Sequence, residues 1–506
     1  MHDLFTPARA LEILLQSLNR DALLGAQTLP AHLACGRVLA APARARLAAP
    51  PADVSTRDGV ALRAADAAHA SQQSPARLVM NRDCRPVHTG QDIPAHADAV
   101  AMNEDLEFEA GAGAVLLHSP PQPGDFVRPA GEDASPGRLV LPAGVAIRPW
   151  DAAGLLSAGV FEVQVYEPVR AVFIPTGDEV LPFADRPTPG PGQVVESSSQ
   201  AFLAMAQNLG VQAQSVPPVR DNPEAIRAAV QAALDRGAHA VVVGAGSSAG
   251  GRDHSRAVFA SMGRILVPGL AMVPGRTGVL AESDGRLLAC APGPPPGAAA
   301  FCEEVLAPAL AWLGRREPPA RETVQARLAQ DVRSRPGWLR LVRVQLGRVG
   351  EAFAARPLPR EAGMIAGLCQ TQAVLRIPAE SGGYGAGDLQ TVELAAPRAE
   401  IERVLLLAGR HHPALDKLAE NLMFLDEPLR LLHQPMDDQR ALDALDRGLV
   451  LAACVGPGHG RPAIPLAPDL GLCAAPAARN DPRAIKLQQC AQAAAARSGA
   501  TPQELP

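Results

Sequence analysis

The stretch "AHAVVVGAGSSAGGRDHSRAVFASMG" (Ala238–Gly263) decides the fold. It opens on a continuous apolar run around Val241–Val243. Such a run fits a strand covered on both faces, as in a parallel sheet. A loop of glycine and serine follows, and "HSRAVFASMG" then reads as a helix. The same rhythm runs upstream. "RAVFIPTG" (Arg170–Gly177) reads as a strand and "SSSQAFLAMAQNLG" (Ser197–Gly210) as a helix closed by glycine. "VQAQSVPPV" (Val211–Val219) is a second strand, and "NPEAIRAAVQAALDRG" (Asn222–Gly237) a helix with proline at its start and glycine at its end. Alternation of this kind predicts a doubly wound sheet.

In open sheets of this class ligands collect beyond the carboxyl ends of the strands. Two loops fall there. "PTGDEV" (Pro175–Val180) places Asp178 and Glu179 after a Thr-Gly turn; it is either a polar turn or a carboxylate pair aimed into a crevice. The Gly244–Asp253 loop could offer backbone N–H groups to an anion at a helix N-terminus. It lacks the Gly-Lys-Ser/Thr of a phosphate-binding P-loop.

Working outward, 506 residues predict three or four domains at ~150 residues each. "TPARALEILLQSLNR" (Thr6–Arg20) carries apolar residues at helical spacing, with Thr6 as N-cap ahead of Pro7. We expect residues 1–29 and 141–167 to form a helical and linking region, and 30–140, with short alternating stretches cut by Pro, Gly and Asp, a β-rich lobe. Residues 168–316 are the α/β domain. After the linker-like "LGRREPPARE" (Leu313–Glu322), residues 323–396 return to short β segments, predicting a small barrel or sandwich. Residues 397–506 restart the strand–helix alternation as a small α/β unit. The fold class is therefore multidomain α/β and β.

The net charge of −5 and an aromatic content of 3% argue against nucleic acid as a partner. Eight scattered cysteines without a Cys-x-x-Cys pair argue against a zinc cluster or a disulfide framework. No run of ~18 apolar residues predicts a membrane span, and the amphipathic N-terminus does not read as a signal peptide. The cytoplasm is the expected compartment. Lysine is nearly absent, with Lys417 and Lys486 alone.

Further acidic and glycine loops share one order along the chain: "STRDGVALR" (Ser55–Arg63), "TGQDIP" (Thr89–Pro94), "ADAVAMNED" (Ala97–Asp105), "GEDASPG" (Gly131–Gly137), "PTGDEV", "GSSAGGRD" (Gly246–Asp253), "VPGRT" (Val273–Thr277) and "APGPPPGA" (Ala291–Ala298). In this order the chain resembles the molybdopterin molybdenumtransferases, the group that includes the gephyrin E domain, over about residues 5–396. The resemblance implies a homodimer that inserts molybdate into adenylylated molybdopterin, with the adenylate cleaved with the help of Mg²⁺. Its site lies between the α/β domain of one subunit and the β-rich lobe of the other.

Residue by residue, the resemblance implies that Asp58, Asp133, Glu179 and Asp253 form the catalytic carboxylates, with Asp58, Glu179 and Asp253 on the metal. Substrate contacts fall to Thr89, Gly90, Asp178, Asp221, Gly246, Ser247, Ser248, Gly250, Arg276, Pro292, Gly293 and Pro295. Partners implied are a second copy, the molybdopterin adenylyltransferase and the enzymes that accept the finished cofactor. Departures sit at Val273 and Arg276, where the family has lysines, at Thr277, at Pro294 in place of asparagine, and at Ser198. They leave a second reading, a weakened homologue that binds pterin or molybdate or serves a partner protein. Residues 397–506 resemble a shortened periplasmic-binding-protein-like extension, in which His411 and His412 are either an oxyanion pair or a plain surface pair.

Overall fold

The computed structural model describes residues 4–109, 111–244, 254–318, 320–358, 365–475 and 480–498. It divides into two compact units: residues 21–168 with 314–316, and residues 1–20 with 169–313 and 317–506.

The first unit is built of short antiparallel strands. Gly59–Leu62 lies between Cys84–Val87 and Ala99–Met102, and Ala114–Leu117 lies between Ala76–Val79 and Leu106–Glu109. Val60, Leu62, Leu78, Val115 and Leu117 form one core, and Leu39, Ile147, Leu155 and Val165 another. The Asp-Gly step has a steric cause. A Cβ at residue 59 would lie 1.9 Å from the Ala101 carbonyl oxygen, so only glycine lets the strands approach.

In the second unit the expected doubly wound sheet is present. Six strands run in the order Gln212–Ser215, Arg170–Pro175, Ala240–Gly244, Arg286–Ala291, Val279–Ser283, Arg264–Val267. The first four are parallel, Val279–Ser283 runs against them, and Arg264–Val267 pairs antiparallel with it. Val241, Val242 and Val243 are wholly buried, as their unbroken apolar run requires. Helices Ser198–Asn208, Pro223–Asp235 and His254–Met262 link the strands. Asn222 caps the second of them through the Ala225 N–H. The N-terminal helix, Pro7–Ser17, starts where Thr6 accepts from the Arg9 N–H, and it buries Ala10 and Leu14.

Residues 323–394 close into a barrel, because Leu339–Val349 pairs with both Ala352–Pro357 and Ala373–Ile377. Alternate residues Val342, Val344 and Leu346 fill it with Val324, Ala326, Leu328 and Leu375. A short strand of the α/β domain, Met272–Val273, joins the barrel in parallel with Leu339–Arg340, in the register Val273 to Arg340.

Residues 397–498 form a five-stranded sheet in which Val404–Gly409 is flanked in parallel by Arg430–Pro435 and Ala452–Val455. The hairpin Ile464–Ala467 and Leu470–Ala474 and the helix Pro482–Ser498 complete it. This sheet packs on the outside of the barrel. Val349 and Ala354 share its core, and the Arg356 Nη1 donates to the Leu407 carbonyl at 2.9 Å.

Candidate functional site

Arg170–Pro175 comes first in the sheet and receives later strands on both sides. That reversal is the switch point at which a doubly wound sheet opens a crevice. The Thr-Gly-Asp-Glu turn is fixed there. Thr176 donates through its N–H and its hydroxyl to the Gly244 carbonyl, at 2.9 and 2.8 Å, and the Gly177 N–H reaches the Val219 carbonyl at 3.1 Å. Three loop ends are thereby drawn to one edge: the Asp178–Glu179 turn, the loop leading to Asp221, and the start of the glycine–serine loop. Gly177 adopts φ 138°, and a Cβ there would press on Glu179 and Val180. Asp178 is exposed and Glu179 half-buried. Gly246, Ser247, Ser248, Gly250 and Asp253 lie outside the described residues. Ser198 begins its helix beside Glu196, whose buried carboxylate accepts from the Ser199 N–H and hydroxyl.

On the same unit a cavity of about 820 Å³ opens between the domain's loops and the barrel. That volume suits a sizeable small molecule. Val273, Arg276, Thr277, Pro292 and Pro294 line it from the α/β side. Gly293 and Pro295 belong to the same loop but are not on the wall. From the barrel come Arg333, Ser334, Arg335, Trp338, Arg340 and Arg343. Its described wall thus holds five arginines and no Asp or Glu. The Arg276 guanidinium lies 5.4 Å from the Trp338 ring, a cation–π contact. Arg343 is held by Glu303 at 2.8 Å. Arg340 is 9% exposed, and its buried Nη1, like the buried Ser334 hydroxyl, has no hydrogen-bond partner among the described residues. Sequence reasoning found Arg276 and Pro292 and missed the barrel wall. The signal was present in "VRSRPGWLRLVR" (Val332–Arg343), four arginines around a Pro-Gly turn with a tryptophan.

In the β-rich unit Asp58 accepts from the Thr89 N–H at 2.8 Å and its hydroxyl at 3.2 Å. These bonds hold its carboxyl below the usual range, with His88 adding to them. Gly90 turns the chain at φ 83°. Asp58, Thr89 and Gly90 are therefore one small exposed turn. Asp133 is ion-paired with Arg128, which also binds Glu132 at 2.8 Å. Among the described residues no group of three or more His, Cys, Asp or Glu is gathered as a cation site. Carboxylate oxygens are the donor type magnesium takes. The described residues of one chain do not gather enough of them to hold the ion alone.

A doubly wound sheet with an acidic turn at its switch point, and an arginine-lined cavity on the same unit, defines the class of α/β proteins that carry a small-molecule site in their loops. Comparison with known proteins narrows the class. Residues 5–159 match the MoeA N-terminal region (domain I and II), residues 172–312 a probable molybdopterin binding domain, and residues 325–395 the MoeA C-terminal region (domain IV). A molybdopterin molybdenumtransferase of Synechococcus elongatus is 31% identical over 294 residues, which are 54% of this chain and 72% of that one. One of Bacillus subtilis is 28% identical over 371 residues, 69% of this chain and 85% of that one. The crystal structure of a molybdopterin biosynthesis MoeA protein from Pyrococcus horikoshii shares the fold. It superposes with a TM-score of 0.66 at 24% identity, over 78% of this chain and 100% of that one. The chain belongs to the molybdopterin molybdenumtransferase family, whose work is molybdenum cofactor biosynthesis. The three matches end at residue 395. No helix among the described residues is long and apolar enough to cross a membrane.

Proposed function

We propose that this chain inserts molybdate into adenylylated molybdopterin and releases the adenylate. The observation that carries the reading is the five-arginine cavity beside the loops of the family's order. Both substrates are anionic, and guanidinium groups on a partly dry wall hold phosphate-like oxyanions strongly. Trp338 and Arg276 offer a flat face for a planar ring. Asp178 and Glu179 sit at the switch-point edge, where a carboxylate can take or hold a proton at the reacting phosphate. Magnesium, when bound, would add Lewis-acid polarisation of the phosphate oxygens. The ion would be held by Glu179 and Asp253 with Asp58 of a second copy.

This shared arrangement makes the working form a homodimer, and the cytoplasm its place. The reading as a weakened pterin or molybdate binder rests on Val273 and Pro294 alone and gains no support from the family matches.

The test is direct. Purified chain is given adenylylated molybdopterin and molybdate, and AMP release is followed together with reconstitution of an apo-molybdoenzyme. Absence of both, from folded protein with magnesium present, sinks the reading. A mixture of Asp58→Asn and Glu179→Gln chains should recover part of the activity that each lacks alone. No recovery removes the site shared between copies.

A further inference from the structure

The C-terminal sheet has a switch point of its own. Val404–Gly409 comes first in it and is flanked in parallel by Arg430–Pro435 and Ala452–Val455. Gly409 turns the chain there at φ 128°, and a Cβ on it would lie 1.8 Å from the Cys454 carbonyl oxygen. Two of the side chains that follow are already engaged. Asp438 holds the Arg410 guanidinium at 2.7 and 2.8 Å, and the His412 Nδ1 accepts from the Ala414 N–H as a helix cap. His411 is exposed, and its ring lies 5.9 Å from that of His433, whose Nε2 meets the Gly409 carbonyl at 3.2 Å.

Arg356 reaches this end of the sheet from the barrel. It is 2% exposed and makes no ion pair among the described residues. Its Nη1 donates to the Leu407 carbonyl at 2.9 Å and to the Gln345 Oε1 at 3.4 Å, and its buried Nη2 donates to nothing. Gln372, equally buried, bonds through its backbone N–H to the Val344 carbonyl, next to Gln345, and neither end of its amide has a partner. None of these residues lines the arginine cavity. Burial pushes the Arg356 guanidinium down to about 10, which leaves it charged at neutral pH. A charge withdrawn from water in this way is costly unless an anion meets it. Its field reaches His433. Burial, His411 and Arg356 together hold that imidazole below its ordinary 6.5, against the opposing pull of the Gly409 carbonyl and Asp416.

We propose that the seam between the barrel and the C-terminal sheet binds a small inorganic oxyanion, taken by the Arg356 guanidinium beside His433. Molybdate, phosphate and sulfate share that chemistry. An anion of a few atoms fits the burial of Arg356 and Gln372, whereas a nucleotide or a pterin would have to part the sheet from the barrel. The site is separate from the arginine cavity and does not rest on the transferase reading.

Calorimetry of the full chain with molybdate, phosphate and sulfate, each alone, tests this and names the preferred anion. Binding in the arginine cavity is common to all the chains compared, so the difference between them reports the seam. Arg356→Met nearly keeps the volume and removes the charge. It should weaken the seam site about ten- to a hundredfold, the effect of a lost charge-assisted hydrogen bond. Arg356→Lys should hold it to within about tenfold. Gln345→Glu keeps the shape and gives Arg356 an internal carboxylate. That chain should lose the site while its melting temperature holds or rises. The His433 imidazole reads the same place by NMR. The preferred anion should move its titration to higher pH in the wild-type chain and have no effect on it in Gln345→Glu. Wild-type binding of all three anions in folded Gln345→Glu overturns the proposal. So does a His433 titration indifferent to every anion, or a lower melting temperature in Gln345→Glu, which shows that Arg356 lacks no partner.

Discussion

Replacing Glu304 by alanine should loosen the barrel from the α/β domain. Glu304 lies in a π-helical turn, Cys302–Leu306, at the end of the helix that starts beside the cavity. Its carboxylate is 7% exposed and takes Arg376 through both nitrogens at 2.8 and 2.9 Å, and Arg321 at 2.7 Å. Three charge-assisted bonds are lost together, each contributing about 1.5–3 kcal/mol. Glu393 remains as a partial substitute, at 2.8 Å from Arg321 and 3.5 Å from Arg376. Removing one member of a buried pair costs about 3–5 kcal/mol, and the surviving partner brings the expectation to roughly 3. Burial raises the Glu304 carboxyl, but bonds to Arg376 and Arg321 outweigh it and set it below its ordinary value of 4.5. A folded-state value below the unfolded one adds stability that is fully present above pH ~4.5 and fades as the pH falls through the folded value. Hydrogen exchange of the Ala373–Ile377 amides reads this opening energy directly. The wild-type and Glu304→Ala chains should differ most near neutrality and converge in acid. A difference below about 1 kcal/mol at pH 7, or one that does not shrink in acid, refutes the reasoning.

Gly59→Ala should cost about 3 kcal/mol, because backbone must move to admit the methyl group; unchanged exchange at Val60–Leu62 would contradict this. Glu179→Gln should abolish AMP release while leaving thermal stability equal or higher, the usual trade at functional sites. Retained turnover removes Glu179 from the reacting group. Trp338→Phe should erase most of the fluorescence change on binding of the pterin substrate, since Trp150 and Trp312 do not line the cavity. A full-size signal in that variant places the planar ring elsewhere.

Much of the architecture was legible because it is written locally. The buried strands carry unbroken apolar runs, Val241–Val243 above all, and the helix between them carries its own start and stop, Asn222 and Gly237. The hairpin at 464–474 was not legible. Its prolines at 462, 465 and 468 mask the alternation of a strand and confine it to a sheet edge. Barrel closure was equally hidden, since it depends on residues 339–349 meeting 373–377, a pairing no local pattern announces. At the site, the carboxylate turns were found through their glycines. Asp133 proved to be committed to Arg128. The cavity arginines were passed over because an arginine in a short β segment reads as a solvated residue. Only the neighbouring domain makes those residues a wall.

The two-residue strand Met272–Val273 has a mechanical consequence. It is short, but it is laid into the barrel's own ladder, with the Leu339 N–H bonded to the Ala271 carbonyl at 2.9 Å. The floor and the roof of the cavity are thus stitched into one rigid frame and do not form jaws on a hinge. Swinging them apart means unpicking that seam and the Glu304 clasp in the same event. The aperture is therefore set like the gap of a fixed gauge, by the pairing of the two strands and not by the ligand.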